Sequence, residues 1–426
     1  MDRLTELIKK DMKPALGVTE PGAIAFAVAT AREYAEGEIL KVRVALNSGM
    51  YKNAFTCGIP NSDKFGNLYA AALGAVAAEA GLGLESLANI TERDNERAAE
   101  LVEDGRVEVA MDHVGSQITI DAVVVTEKDE VIVHIRDSHT GIVSIEKNKE
   151  TIYLADASGG NGSKTEEIPL IHQYTLHELL EYAKQVPERD ISFIREAFSM
   201  NMELLEEGMH SQRAVITKQL LKENNNQIIS EDALRTAQLL CSGAIEARVL
   251  GLNRPAMSIT GSGAHGIIAT MPLFAYFQVN YGEIGDVLLL RAAALSYLIT
   301  MYIKEYSGKL SAFCGCGIAA GCGMACGLAF LRGANESQID MVIRNMASGL
   351  TGMICDGGNH GCAMKGIVSV DAAYRAVELA MQGIGIGKMH GINGRTPEDT
   401  MRYMGMIASP GMVKTEETIV DIMQQK

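Results

Sequence analysis

The sequence predicts an α+β fold, with a large all-helical C-terminal domain and a small antiparallel β-sheet region inserted after N-terminal helices. Two observations carry this prediction. Apolar and polar residues alternate over 39–51 and again over 106–157, as strands require, whereas helical periodicity dominates from residue 175 onwards. Because strands and helices are segregated along the chain rather than alternating, a Rossmann-type fold is disfavoured.

We divide the chain into an N-terminal domain of helices and β region, 1–165, and a helical domain, 166–426, which carries most of the cysteines. In the first domain, prolines and a Thr-Glu-Pro-Gly stretch separate two helices, and a Gly/Asn/Ser/Lys loop at 158–167 closes the β region. The predicted elements of this domain are two helices within 1–38, a strand at 39–51, a helix at 67–81 and four or five antiparallel strands within 106–157.

In the second domain, apolar residues recur at helical spacing, and Gly, Asn and Pro mark the short connections. The C-terminal segment is amphipathic and closes the chain. The predicted helices span 175–186, 190–208, 212–222, 231–250, 262–278, 283–307, 311–332, 336–354, 364–384 and, in the C-terminal segment, 397–425.

The composition is that of a globular protein, with 47% hydrophobic and 21% charged residues. The formal net charge of −15 argues against nucleic-acid binding as the main role, because phosphate neutralisation needs a basic face. The N-terminus lacks the apolar core of a secretory signal, so we expect a cytoplasmic protein in a reducing compartment. The uncharged segment 310–331 is long enough to cross a membrane, but its Gly, Ala, Ser and Cys content favours a buried helix.

Four of the eight cysteines are candidates for chemistry. In a reducing compartment, cysteines are expected to be thiols, metal ligands or catalytic groups rather than disulfides. Cys314 and Cys316 lie at the head of a Gly/Cys-rich helix, and Cys355 and Cys362 lie in a Gly-rich loop between two helices. Thiolates bind zinc and iron–sulfur clusters, but this irregular spacing differs from paired zinc knuckles and favours a cluster held between separate elements.

Two further groups of polar residues are candidates for binding an anion. Lys52 and Asn53 follow the first predicted strand, and a Gly-rich turn with Ser262 and His265 precedes a predicted helix. Free backbone N–H groups at a helix start bind carboxylates, and a histidine there can pair with a substrate or act as an acid. The residues alone leave open a solvated strand end and a tight helix–helix connection.

Five motifs give the sequence a resemblance to a known family. They are ALGVTEP at 15–21, KNAFTCGIP at 52–60, GSGAHGI at 261–267, KLSAFCGCGIAAG at 309–321 and GMICDGGNHGC at 352–362. The last two together are highly specific, whereas GSGAHGI alone would be weak. Over essentially its whole length the chain resembles the L-cysteine desulfidase family, whose fold relatives are the α chains of iron–sulfur L-serine dehydratases.

The resemblance implies a lyase that performs α,β-elimination on a small L-amino acid without pyridoxal phosphate. L-cysteine, converted to sulfide, pyruvate and ammonia, is the favoured substrate, and L-serine is the second. The resemblance also implies a [4Fe–4S] cluster on Cys314, Cys355 and Cys362, with Cys316 as the alternative to Cys314. The helical domain, 166–426, would then be the catalytic one.

The chain departs from the family pattern at Val18, where Gly-Cys-Thr-Glu-Pro has the cysteine thought to serve as the base. Because valine cannot accept a proton, another group does so, the substrate differs, or the chain is a non-catalytic iron–sulfur or thiol sensor. A zinc- or thiol-dependent hydrolase is the alternative enzyme class, and the Gly-rich helices suggest a homodimer. The candidate residues are Lys52, Cys57 and His265 for catalysis and Glu20, Asn53, Ser262 and Gly263 for substrate binding.

Overall fold

A computed structural model describes residues 2–155 and 168–426. The predicted boundary at 165/166 and the predicted loop at 158–167 lie outside the described residues. The strands are β1 (Lys13–Leu16), β2 (Ile39–Asn47), β3 (Val107–His113), β4 (Thr119–Thr126), β5 (Glu130–Arg136), β6 (Ile142–Lys147), β7 (Glu150–Leu154) and β8 (Pro255–Ser258). The helices of the first part are α1 (Arg3–Asp11), α2 (Thr19–Tyr34), α3 (Ser48–Ala54), α4 (Gly66–Val76) and α5 (Glu92–Glu103).

The second part is helical apart from β8, and the α+β class is confirmed. Its helices are α6 (Leu176–Gln185), α7 (Glu188–Ile191), α8 (Arg195–His210), α9 (Val215–Glu223), α10 (Ala233–Val249), α11 (Gly263–Val279), α12 (Asp286–Ser307), α13 (Gly321–Leu331), α14 (Glu336–Leu350), α15 (Gly361–Met381), α16 (Pro397–Met406) and α17 (Val413–Gln424). The predicted single C-terminal helix is therefore two helices.

The main sheet has six strands in the order β3-β2-β4-β5-β6-β7. Four of its five pairings are antiparallel, as predicted, but β2 and β3 pair in parallel. A parallel neighbour needs a long crossover, and the segment containing α3, α4 and α5 supplies it. The sequence did not predict α5, because this charged helix buries only Ala98 and so lacks an apolar stripe.

A second, two-stranded sheet was not predicted. It pairs β1 with β8 in antiparallel register, from Lys13 opposite Ser258 to Leu16 opposite Pro255. The pairing brings the start of α2 beside the start of α11, where the Thr19 hydroxyl donates to the Gly261 carbonyl at 3.5 Å. Two helix N-termini that are far apart in the sequence therefore meet at one place.

The helical core is built around α12 and α13. All eleven residues of α13 are buried, and a Cβ on its Gly323 would overlap the Ser296 carbonyl of α12, so glycine permits the close approach. In the described ranges, α12 is the one helix long and apolar enough to cross a membrane, but 78% of it is buried. It packs as a central helix of the globular core. The neighbouring segment 310–331, for which we predicted a buried helix rather than a membrane span, is also buried for most of its length.

The predicted helix at 311–332 is interrupted. A π-helical turn, Gly315–Ala320, precedes α13 and begins directly after Cys314. Single π turns are frequent at functional sites because they re-aim the backbone of a helix. Here the π-helical turn contains Cys316 and lies directly before the N-terminus of α13.

Candidate active site

The two cysteine segments pair with each other. Residues 312–314 and 353–355 form a short antiparallel bridge, in which the Cys314 N–H donates to the Met353 carbonyl at 3.1 Å. The Cys355 N–H donates to the Ala312 carbonyl at 2.6 Å. Cys314 and Cys355, 41 positions apart in the sequence, are thereby fixed on adjacent backbone segments.

Cys314 and Cys316 share a proton. Their Sγ atoms are 3.4 Å apart, and the Gly317 N–H donates to Cys314 Sγ at 3.4 Å. The hydrogen bond between the thiols lowers the pKa of Cys316 and raises that of Cys314, and the positive charge of Lys365 also favours the Cys316 thiolate. A negative charge on this pair is therefore favoured at Cys316, which is half-buried.

Cys362 lies in the first turn of α15, at the end of the Gly-rich loop. Its thiol donates to the Gly357 carbonyl at 3.5 Å, and burial raises its pKa to about 12. The loop is pressed against α3, because the Gly358 N–H donates to the Asn53 carbonyl at 3.1 Å. Gly357 adopts φ +96°, and a Cβ there would overlap the Lys52 carbonyl.

We expect Gly357→Ala to disrupt the site. The left-handed backbone and the overlap with Lys52 should together cost at least about 1 kcal/mol of unfolding free energy. Denaturant unfolding measures this cost. Gly349→Ala is the control, since Gly349 is helical and has no atom within 4 Å of its Cβ position, so this change should be neutral or stabilising. Equal stability of the two variants would contradict the prediction.

Three lysines, two of them buried and one half-buried, surround the thiols, and sequence reasoning identified only one of them. Lys52 has an exposed fraction of 0%, and its ammonium donates to Cys355 Sγ at 3.4 Å and to Asn53 Oδ1 at 2.8 Å. Burial lowers its pKa, but the charges of Cys355 and Glu416 more than offset this and leave the pKa raised. Lys52 therefore stays charged and is a poor proton acceptor.

The other two lysines are Lys304 and Lys365. Burial lowers the pKa of Lys304 to about 8, and its ammonium donates to the carbonyls of Gly308 and Lys309 at 2.5 Å and 3.1 Å. Burial also lowers the pKa of Lys365, but the neighbouring Cys362 and Cys314 and the ion pair with Asp356 more than offset this and leave the pKa raised. Lys365 thus places positive charge beside Cys314, Cys316 and Cys362, which partly offsets the effect of burial on the pKa values of their thiols.

His265 faces the cysteine turn from α11. Its Nδ1 is 2.6 Å from the Thr260 hydroxyl, and a Cβ on Gly315 would lie 2.7 Å from its Nε2. Burial, reinforced by Lys304, lowers the pKa of His265 well below its ordinary value. His265 is therefore a neutral imidazole with one nitrogen held by Thr260 and the other directed at the backbone between Cys314 and Cys316.

Glu20 and Asn53 lie together on the other side. The Asn53 amide donates to Glu20 Oε1 at 2.8 Å, and Glu20 is buried in the first turn of α2. Val18, one residue before α2, is also buried, and a Cβ on Gly358 would lie 2.9 Å from its Cγ1. The position that departs from the family pattern therefore contacts the cysteine loop.

Cys57 does not suit the catalytic role predicted for it. It is fully buried, its thiol donates to the Ala54 carbonyl at 3.5 Å, and burial, with the nearby charge of Glu20, raises its pKa well above the ordinary value. A thiol that retains its proton cannot act as the base. Cys57 packs as a core residue beside the site.

Two charged residues of α10 were missed by sequence reasoning. Arg248, in the last turn, is 5% exposed, and its Nε has no hydrogen-bond partner. Glu246 is fully buried, accepts from the Thr217 N–H at 2.6 Å, and holds His360 of the cysteine loop. In the sequence, these residues are two charges inside an otherwise apolar helix. Charges in such a pattern usually lie on the solvated face of the helix.

The clustered cysteines have the donor type that an iron–sulfur cluster requires. Across residues 2–155 and 168–426, no three His, Cys, Asp or Glu side chains are arranged to hold one metal ion. Cysteine thiolates are the usual ligands of an iron–sulfur cluster. Cys314, Cys355 and Cys362 meet this requirement, and the buried lysines would balance the negative charge that a thiolate-bound cluster adds.

Solvent reaches this region from the side of α17. A cavity of about 230 Å³ is lined by Ser311, Met412 and Glu416, among others. Glu416 is 3.7 Å from the Lys52 ammonium, and the Ser311 carbonyl accepts from the same ammonium at 3.5 Å. A larger cavity of about 530 Å³, near His390, contains none of the candidate residues. The smaller cavity borders the Lys52 side of the site through Ser311 and Glu416.

Relatives match this chain over nearly its whole length. A family model described as serine dehydratase alpha chain matches residues 81–421, which include all four clustered cysteines. A UPF0597 protein of Clostridium botulinum strain Langeland is 39% identical over 427 residues, covering 99% of this chain and 98% of the relative. UPF0597 proteins of Caldanaerobacter subterraneus subsp. tengcongensis and Clostridioides difficile strain 630 are 37% and 32% identical, each over 98% of their length. The chain belongs to the serine dehydratase alpha chain family.

Proposed function

We propose that this protein is an iron–sulfur-dependent lyase that eliminates the β-substituent of a small L-amino acid, with L-cysteine as the favoured substrate and L-serine as the alternative. The observation that carries the proposal is the pairing of the two cysteine segments beside a buried ammonium, Lys52, and a neutral imidazole, His265. A cytoplasmic location and a homodimer remain predictions.

Cys314, Cys355 and Cys362 would hold a [4Fe–4S] cluster. When bound through three thiolates, such a cluster supplies Lewis acidity at the iron that has no protein ligand. Lys52 holds the Cys355 thiolate by charge, since its ammonium lies 3.4 Å from that Sγ. Cys316 is the reserve ligand, since its Sγ lies 3.4 Å from that of Cys314.

His265 is the group best placed to remove the α-proton. Its imidazole is neutral, and Thr260 fixes Nδ1, so Nε2 is available to accept a proton. The electron pair of the broken Cα–H bond forms the Cα=Cβ bond, and the β-substituent leaves with the electrons of its own bond. The resulting aminoacrylate tautomerises to an imine, which water hydrolyses to pyruvate and ammonia.

The test is an anaerobic purification followed by metal and sulfide analysis and by assays with L-cysteine and L-serine. We expect roughly four irons per chain, and release of sulfide and pyruvate in equal amounts from L-cysteine. Pyruvate from L-serine alone would assign the alternative substrate. Zinc without inorganic sulfide would contradict the proposal and favour the hydrolase class.

Val18 provides a reason to test a second candidate, a non-catalytic iron–sulfur or thiol sensor. Its side chain occupies the contact with Gly358 where the family pattern has a cysteine. We assign proton removal to His265, so a thiol at position 18 would not be the base. We therefore expect Val18→Cys to change kcat for L-cysteine by less than about tenfold, whereas a general base usually contributes about 100-fold or more. Val18→Ala controls for packing. An inactive parent protein that gains turnover only with Val18→Cys would support the sensor.

A further inference from the structure

Arg248 is a charged group for which the described part of the chain provides no partner. Its side chain is 5% exposed, its Nε makes no hydrogen bond, and no described carboxylate forms an ion pair with it. It lies in the last turn of α10, where the helix dipole favours a cation. That effect is small beside the cost of burying an unpaired charge, so the guanidinium is positioned for an anion that binds from outside the chain.

The guanidinium is directed at the N-terminus of α11. A Cβ on Gly263, the first residue of this helix, would lie 2.7 Å from Arg248 Nε. The first N–H groups of any helix lack helical acceptors, and the Ser262 side chain does not cap this one. Backbone donors, the positive end of a helix dipole and a buried arginine therefore converge on one point, which is a site for a carboxylate.

A complementary anion lies on the facing helix. Glu20 is in the first turn of α2, and the adjacent Thr19 donates to the Gly261 carbonyl in the turn before α11. Glu20 and Arg248 both act on the buried Cys57 thiol, one raising and the other lowering its pKa, so both charges lie near that residue. An α-amino acid has the matching pair of charges, an ammonium and a carboxylate on one carbon.

We propose that Arg248 and the first turn of α11 bind the α-carboxylate of the substrate, and that Glu20 binds its α-ammonium. This assignment rests on the proposed function for the identity of the substrate, but the charge pattern by itself specifies a small α-amino acid. It also gives the predicted substrate residues their roles. Ser262 and Gly263 form the start of the carboxylate site, and Asn53 orients Glu20 through its amide at 2.8 Å.

Binding of L-alanine tests the proposal, because L-alanine has no β-substituent to eliminate. Isothermal titration of the cluster-containing protein measures the affinity for L-alanine and for two partial analogues. Propionate lacks the ammonium, and ethylamine lacks the carboxylate. We expect Arg248→Met to weaken L-alanine and propionate by about 10- to 100-fold, the range for lost charge-assisted hydrogen bonds. Glu20→Gln should weaken L-alanine but leave propionate unchanged.

Two further variants guard against a general loss of folding. Gly263→Ala keeps the arginine but places a Cβ 2.7 Å from its Nε, so it should also weaken L-alanine. Arg344→Met removes another arginine, which is 7% exposed and pairs with Asp340, and should leave L-alanine affinity unchanged. If Arg248→Met and Gly263→Ala both bind L-alanine like the parent, the assignment is wrong.

The iron content and the turnover distinguish a substrate-binding role of Arg248 from a role in holding the thiolates, and distinguish failure of this proposal from failure of the proposed reaction. Arg248→Met with parental affinity for L-alanine but without iron would make the arginine a partner of the thiolates instead, and would overturn the proposal. If the variants lose L-alanine binding while neither L-cysteine nor L-serine is turned over, the amino-acid site stands and the proposed reaction fails. If L-cysteine is turned over with an unchanged KM in Arg248→Met, the site fails and the reaction stands.

Discussion

Replacing Cys355 with serine is expected to remove bound iron and to lower turnover of L-cysteine by more than about 100-fold. Loss of a residue that only contacts a metal ligand already lowers metal affinity or activity by about 10- to 100-fold, and loss of a ligand should lower it further. Cys355 is the thiol that Lys52 contacts at 3.4 Å, and its backbone is fixed by the pairing of the two cysteine segments. Serine keeps a polar partner for the buried ammonium, so the fold should survive. Iron and sulfide analysis of anaerobically purified protein, with a turnover assay, measures both effects.

The matched control is Cys326→Ala. Cys326 is fully buried in α13, and the neighbouring Cys322 thiol together with burial raises its pKa well above the ordinary value. Its loss should lower stability but leave the iron content unchanged. Full iron content in Cys355→Ser would remove Cys355 from the ligand set. The same comparison of Cys314→Ser with Cys316→Ser decides which member of that pair is the third ligand.

The fold was largely predictable from residue patterns, and the errors in that prediction have a common physical origin. Long helices such as α10 and α12 bury a continuous apolar surface, and β4 and β5 alternate strictly between buried and half-exposed residues, so local periodicity identifies them. The pairing of β1 with β8 joins segments about 240 residues apart. Each strand has four residues, too few to show a period, and only tertiary structure brings them together.

The candidate site was predictable to a different degree for each kind of residue. The clustered cysteines were found because two Gly-rich motifs mark them at specific spacing. Lys304, Lys365 and Arg248 were missed because the sequence around a charged residue in a largely apolar helix does not show whether its side chain is buried or solvated. Cys57 was given a catalytic role that burial disfavours, and burial of one thiol depends on packing that no local pattern contains.

Replacing His265 with glutamine is expected to lower kcat for L-cysteine by about 10²- to 10⁴-fold, the usual contribution of a general base. Glutamine can keep a hydrogen bond to Thr260 but cannot accept the α-proton. KM should change little, since the proposed carboxylate and ammonium sites do not use the imidazole. Steady-state kinetics with L-cysteine, with and without deuterium at Cα, checks that the lost step is proton removal.

The pH dependence gives a second readout of the same residue. Burial lowers the pKa of His265, so its imidazole stays neutral as the pH falls through about 6.5, the ordinary histidine pKa. We therefore expect the acid limb of kcat that arises from His265 to lie below that pH. His177→Gln is the control, because this histidine is exposed and paired with Glu336 on α14, and its loss should leave kcat unchanged.

A parental kcat in His265→Gln would assign proton removal to another group, and the structure limits the choice. Lys52 is held charged by its partners, and Cys57 retains its proton, so neither accepts the α-proton readily. His139 has a buried Nε2 without a partner, and burial lowers its pKa, while the charge of Glu20 acts on it in the opposite direction. It would then be the alternative neutral imidazole, and His139→Gln would be the variant expected to lose turnover.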